Sequence, residues 1–173
     1  MFSRTRTALS MLCLEDRTVP AAGDLDLTFG SGGKVTIPFD LGDNQDQAES
    51  VRIQPDGKIV IAGFATFDAM TYDFAVTRLN TDGSLDTTFD GDGKTTITVR
   101  QGGLTDDESI GLALQADGKI VLTGNSSTTA GNEDFAIIRL NTDGSLDTTF
   151  NGNGRRNVGF DIGGNLEDHP RNL

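Results

Sequence analysis

The sequence predicts an all-β chain built from four-stranded antiparallel units that repeat about every 60 residues, and three observations carry that prediction. The twelve residues "RLNTDGSLDTTF" occur twice, at Arg78–Phe89 and Arg139–Phe150, an offset of 139 − 78 = 61. Short runs of alternating apolar residues recur between turn signals. Glycine is abundant, with 22 copies in 173 residues, which suits strands and tight turns.

Residues 1–22 read as a leader or sorting segment without fixed structure. Arg4 and Arg6 precede the apolar run Ala8–Leu14, and Val19-Pro20-Ala21 supplies small residues for cleavage. That is the order of a secretory signal, although Glu15, Asp16 and Arg17 place charge where such a signal is uncharged. No stretch of the chain is apolar for long enough to cross a membrane as a helix.

Phe29, Phe89 and Phe150 mark the period. Repeat one covers 23–82, repeat two 83–143, and a partial third repeat with a polar tail 144–173. Val35, Ile37, Phe39 and Leu41 alternate along a first strand, Lys34–Leu41. Val51 and Ile53 continue that period in a second strand. The turn Gln54-Pro55-Asp56-Gly57 combines a preset φ, a self-bonding Asp and a Gly free to take positive φ. Lys58–Gly63 returns as a third strand whose consecutive apolar residues suit an inner position. Phe74–Leu79 is the fourth.

Asn80-Thr81-Asp82-Gly83 turns the chain into the next unit. Leu85 and Phe89, four apart after a Ser, are expected on one short helical turn that plugs a seam between units. "QADGKIVLTG" (Gln115–Gly124) and "DFAIIRLN" (Asp134–Asn141) repeat the pattern of Gln54–Gly63 and Asp73–Asn80. "NVGFDIGG" (Asn157–Gly164) restarts it. Units of this kind are β-propeller blades in physical terms, because one blade cannot bury both of its faces alone. Two full repeats fall short of the four to eight blades that close a ring. The expected architecture is therefore an incomplete propeller: a piece of a longer repeat protein, an open arc, or a ring completed by other copies.

The ordered motifs "GSLDTTFDGDGK", "PDGKIVIAG" and "DFAVTRLN" resemble the delta-60 repeat, a β-propeller-type repeat of bacterial proteins, many of them exported. The resemblance covers residues 23–163, with Ala116 in place of the turn Pro and "NGNGRR" in place of the Gly-Lys step in the last copy. "LEDRTVPA" (Leu14–Ala21) resembles an N-terminal sorting motif of certain bacterial cell-surface proteins. The resemblance implies the fold and an extracellular or cell-surface setting. It brings no catalytic residues.

Composition excludes several classes. The formal net charge is −12, from 14 basic and 26 acidic residues. That balance argues against nucleic acid, which needs clustered Lys and Arg. The single cysteine, Cys13, forms no intrachain disulfide, and the single histidine, His169, lies in a polar tail. A Ser/His/Asp triad or a multi-His metal centre would have to be built from those last residues.

The weak metal candidates are Asn80, Asp82, Asp86, Asn141, Asp143 and Asp147, with Asp90 and Asp92 nearby. Their oxygen spacing is reminiscent of a calcium loop, but the glutamate that ends an EF-hand is missing. Asn and Asp before Gly are also ordinary turn formers. Acidic pairs such as Asp106/Asp107 are raw material for glycoside hydrolysis, but no pair stands out. "GSGGK" (Gly30–Lys34) lacks the strand, Ser/Thr and helix of a phosphate loop. The segments that differ most between copies, Phe64–Tyr72 and Asn125–Glu133, read as loops on a rigid frame, where recognition concentrates. Asn125-Ser126-Ser127 matches a glycosylation acceptor by chance.

These readings favour a non-catalytic, secreted or cell-surface scaffold for protein or glycan interaction. Its expected partners are further propeller repeats or other copies of the chain. The alternatives are a calcium-stabilised extracellular module and a fragment of an enzyme acting on polysaccharide.

Overall fold

In the computed structural model, residues 22–39, 45–68, 71–99, 107–129 and 132–160 are described. The leader reading, including Cys13 and "LEDRTVPA", and the tail with His169 lie outside them, as does Asp106.

Among the described residues there are eight strands: β1 (Asp46–Ile53), β2 (Ile59–Asp68), β3 (Thr71–Leu79), β4 (Lys94–Ile97), β5 (Asp107–Leu114), β6 (Ile120–Thr129), β7 (Asn132–Leu140) and β8 (Arg155–Val158). They make two four-stranded sheets in sequential order, β1-β2-β3-β4 and β5-β6-β7-β8. All pairings within them are antiparallel. Both sheets carry the same irregularity, between Ala48 and Ser50 in β1 and between Ser109 and Gly111 in β5. The fold is therefore the expected one, antiparallel blades of a propeller type in an incomplete set.

The sheets are out of phase with the sequence repeats by one strand. Lys94–Ile97 opens the second repeat in sequence, yet it closes the first sheet by pairing with β3 from Phe74↔Ile97 to Thr77↔Lys94. The turn at 90–93 folds the chain back beside β3, where the Gly93 carbonyl accepts from the Arg78 amide at 3.0 Å and from the Thr77 hydroxyl at 2.9 Å. Of the expected first strand, Lys34–Leu41, residues 34–39 thus hold the place of a fourth strand ahead of the first sheet, and 40–41 lie outside the described residues. Among the described residues it makes a single bridge, Gly30↔Lys34. The chain then passes from outer strand to next inner strand over one repeated contact. The Phe39 amide donates to Asp46 Oδ2 at 2.9 Å, and the Val99 amide donates to Asp107 Oδ2 at 2.7 Å.

The core lies between the two blades. Val60, Phe74, Val76 and Ile97 from the first meet Leu112, Ile120 and Leu122 from the second, all buried. The Ser50 hydroxyl reaches the Ile110 carbonyl across this seam at 2.8 Å. Burying apolar area between blades is the main stabilising term of such an arrangement.

The expected helical turn at Leu85–Phe89 is absent. Asp86 Oδ1 accepts from the Thr88 amide at 3.1 Å and its hydroxyl at 2.7 Å, and the Phe89 amide closes a turn onto the Asp86 carbonyl at 2.9 Å. The Asp side chain thus takes an amide that a helix would need. Phe89 does fill the seam and is fully buried, whereas Leu85 lies at the surface.

Candidate functional site

The duplicated twelve residues build a clasp. In the first copy, Asp86 Oδ2 receives Arg78 Nε at 2.6 Å and Lys58 Nζ at 2.8 Å. The Arg78 guanidinium carbon lies 4.8 Å from the centre of the Phe89 ring, a cation–π contact. The next copy's turn covers both. Arg78 Nη1 donates to the Thr142 carbonyl at 2.5 Å, and the Asp90 amide to the Asp143 carbonyl at 2.7 Å. Gly144 takes φ +90°, and a methyl group there would lie 3.0 Å from the Phe89 ring. Only glycine serves both needs without strain.

The clasp recurs. Asp147 Oδ2 receives Arg139 Nε at 2.6 Å and Lys119 Nζ at 2.8 Å, and Arg139 stands 4.9 Å from the Phe150 ring. Its surroundings differ. The Arg78 side chain is 6% exposed and that of Arg139 is 23% exposed. Phe89 is buried while Phe150 is half-buried. At the first seam, Phe29 meets the earlier turn in the same way. The Gly30 amide donates to the Asp82 carbonyl at 2.7 Å, and Gly83 faces the Phe29 ring.

The charge pattern follows from these contacts. Burial pushes the Asp86 carboxyl up, but Lys58, Thr88 and Arg78 outweigh it and hold it well below the usual carboxylate range. Lys119, Thr149 and Arg139 do the same for Asp147 against a smaller burial effect. Asp82 and Asp143 are lowered by the hydroxyl and amide of Ser84 and Ser145.

The metal candidates are therefore engaged with protein groups. The Asn80 amide donates to Ser84 Oγ at 3.0 Å, and Asn141 to Ser145 Oγ at 3.0 Å. Asp82 and Asp143 each accept from the serine two residues on. Asp86 and Asp147 face a lysine and an arginine. Among the described residues, no group of three or more His, Cys, Asp or Glu side chains converges as metal ligands would. The partner lysines Lys58 and Lys119 escaped sequence reasoning, although a signal existed: each precedes its aspartate by 28 positions.

Asp107 is fully buried, and its carboxylate anchors the Val99 amide. Asn125, in the apparent glycosylation acceptor, is buried within β6.

The two segments read as variable loops are instead mostly the paired ends of the β2–β3 and β6–β7 hairpins. Thr and aromatic residues there favour strand. The frame is the same in both, and the pair at its end changes. In the first blade Phe64 and Tyr72 meet edge to face, 5.2 Å between ring centres. In the second, at the same offset of 61, Asn125 Nδ2 donates to Glu133 Oε2 at 3.2 Å.

A groove of about 290 Å³ crosses the open face of the first blade, lined by Val35, Ile37 and Phe39 on one wall and Ala48, Ile61 and Gly63 on the other.

A family model described as a β-propeller domain of unknown function, DUF5122, matches residues 54–89 and 115–150. The chain carries β-propeller-type repeats. Each match runs from the β1–β2 or β5–β6 turn to the clasp phenylalanine, so it contains the lysine, arginine, aspartate and phenylalanine of one clasp. No curated protein matches the chain. No helix among the described residues is long and apolar enough to cross a membrane.

Proposed function

We propose that this propeller-repeat chain is a non-catalytic, exported scaffold that binds a protein or glycan through the ends of its β2–β3 and β6–β7 hairpins. One observation carries the reading. The frame repeats down to individual hydrogen bonds, yet the pair at the hairpin end switches from Phe64–Tyr72 to Asn125–Glu133. A change of chemistry at the end of a hairpin on a repeated frame suits a recognition surface. An aromatic pair suits the apolar face of a sugar ring or a peptide side chain. The basic start, apolar run and small residues of the leader support export.

The chain provides its own probe, since Tyr72 is its single tyrosine and it has no tryptophan. Tyrosine fluorescence titrated with a panel of oligosaccharides and peptides reads binding at that hairpin directly. A saturable change abolished by Phe64→Ala supports the reading. No response from any member of the panel, with the fold intact, removes the first blade's hairpin as a binding end. A reporter fused after residue 173 that stays wholly inside the expressing bacterium removes export.

A further inference from the structure

The seam between the two blades is a template, and the chain carries each half of it a second time, with no blade against it among the described residues. On the second blade, the half that meets the first blade comprises Ser109, Leu112, Leu114 and Gly124. Ser109 is fully buried and Leu112 is 4% exposed. Phe74 sits against Gly124 so closely that a methyl group there would lie 2.6 Å from its ring. The same positions of the first blade, 61 earlier, are Ala48, Val51, Ile53 and Gly63. Val51 is 53% and Ile53 69% exposed, Ala48 is exposed, and Gly63 lines the groove, its nearest neighbours being the backbone of Gln47 and Ala48 rather than a ring as at Gly124.

The covering half is duplicated too. Phe74, Val76 and Ile97 are buried in the seam. Their counterparts Phe135, Ile137 and Val158 hold the same register in the second blade and are only half-buried. Phe135 touches Phe160, itself 50% exposed, at 5.3 Å between ring centres. One molecule therefore shows a socket on one blade and the matching knob on the other.

We propose that the open face of the first blade docks a second copy of this chain, head to tail, with Phe135 of one copy seated on Gly63 of the next. Residues 25–39 act as a cap on that face. They run parallel in sequence to 146–160, at an offset of 121, and Phe29 fills the rim where Phe150 of an arriving copy belongs. The cap covers the rim and leaves the groove open behind it, so it must leave as the second copy enters. It is the weaker of the two equivalents: the Asp26 carboxylate accepts from the Thr28 amide and hydroxyl, whereas that of Asp147 holds Arg139 and Lys119 as well as Thr149. Leu25 and Leu27 in the cap are largely exposed.

The inference rests on the scaffold reading, but its test is separate from ligand binding at Tyr72. Sedimentation velocity of the full chain over a wide concentration range is expected to show a discrete, concentration-dependent oligomer. Phe135→Ala removes the knob and is expected to weaken association at least about 30-fold, as loss of a central aromatic anchor does. Ala48→Glu buries a charge in the socket and is expected to do the same; the residue is exposed in the single copy, so the fold is spared. Phe29→Ala loosens the cap and is expected to tighten association, an effect cancelled in the Phe29→Ala/Phe135→Ala double variant.

Each single variant retains one good half, so a mixture of Phe135→Ala and Ala48→Glu is expected to form a one-to-one dimer that neither forms alone. A wild-type chain that stays monomeric with native far-ultraviolet dichroism overturns the proposal. So does association that both variants leave unchanged, or a mixture that recovers nothing.

Discussion

The two phenylalanines of the duplicated segment offer an internal control, because Phe89 and Phe150 are preceded by the same eleven residues, from 78 and from 139. They differ in their cover: the Asn141–Ser145 turn lies over Phe89, while Phe150 is half-buried. Phe89→Ala removes a fully buried ring and leaves a hole beneath that turn, which costs about 3–5 kcal/mol. It also removes the stacking of Arg78, worth roughly 0.5–1 kcal/mol. Phe150→Ala removes a ring that water already reaches, so roughly half the burial term applies. Urea unfolding followed by far-ultraviolet dichroism reads both. With a slope of about 2 kcal/mol per molar, Phe89→Ala lowers the midpoint by about 2 M and Phe150→Ala by about 1 M. Equal losses would refute the idea that the following turn, rather than the local sequence, makes the joint.

Asp86→Asn leaves Arg78 and Lys58 with no buried counter-charge and is expected to cost about 3–5 kcal/mol at neutral pH. The Asp86 carboxyl is depressed in the folded state, so its contribution is full above the unfolded value of 3.8 and is lost as pH falls through the folded one. The urea midpoint of the wild type should therefore hold from pH 7 to about 4 and fall below that, with a shallower acid slope in Asp86→Asn. Gly144→Ala is strained by its φ of +90° and also meets the Phe89 ring, whereas Gly152→Ala is strained at +78° in open space. Both lose about 1–2 kcal/mol to backbone strain, and Gly144→Ala loses more in thermal melts. Because Asp86 and Asp147 are already paired with cations, adding calcium or EDTA should leave the melting temperature unchanged; a clear rise with calcium would restore the metal reading of Asp82 and Asp143.

The period was legible because an exact twelve-residue copy is hard to misread, and the strands followed from alternation at Val51, Ile53 and Phe74–Leu79. The phase was not legible. A repeat has no intrinsic start, and nothing in "GKTTI" says that it pairs backward with β3 rather than forward with β5. That depends on the Gly93 carbonyl reaching Arg78 and Thr77, a contact across 15 and 16 residues. The helical turn at Leu85–Phe89 failed for a local reason: spacing of four suits a helix, but the Asp86 carboxylate bonds Thr88 first. In sequence the acidic residues of "NTDGSLD" offer both weak calcium ligands and ordinary turn formers. The structure divides them between a turn, which uses Asp82, and a clasp, which uses Asp86.

The same division explains why twelve residues are repeated without a change. The first part, Asn-Thr-Asp-Gly-Ser, faces the preceding unit: Asp82 and Gly83 meet Phe29 and Gly30, and Asp143 and Gly144 meet Phe89 and Asp90. The last part, Asp-Thr-Thr-Phe, belongs to the side that faces the following unit. The first copy fits two neighbours at once, so a change in either of its parts opens a different seam. The hairpin ends answer to no neighbouring blade's clasp, and there the two copies diverge from Phe64–Tyr72 to Asn125–Glu133. Sameness and difference in this chain therefore sort by what each segment touches, with the clasp holding the frame and the hairpin ends left to vary.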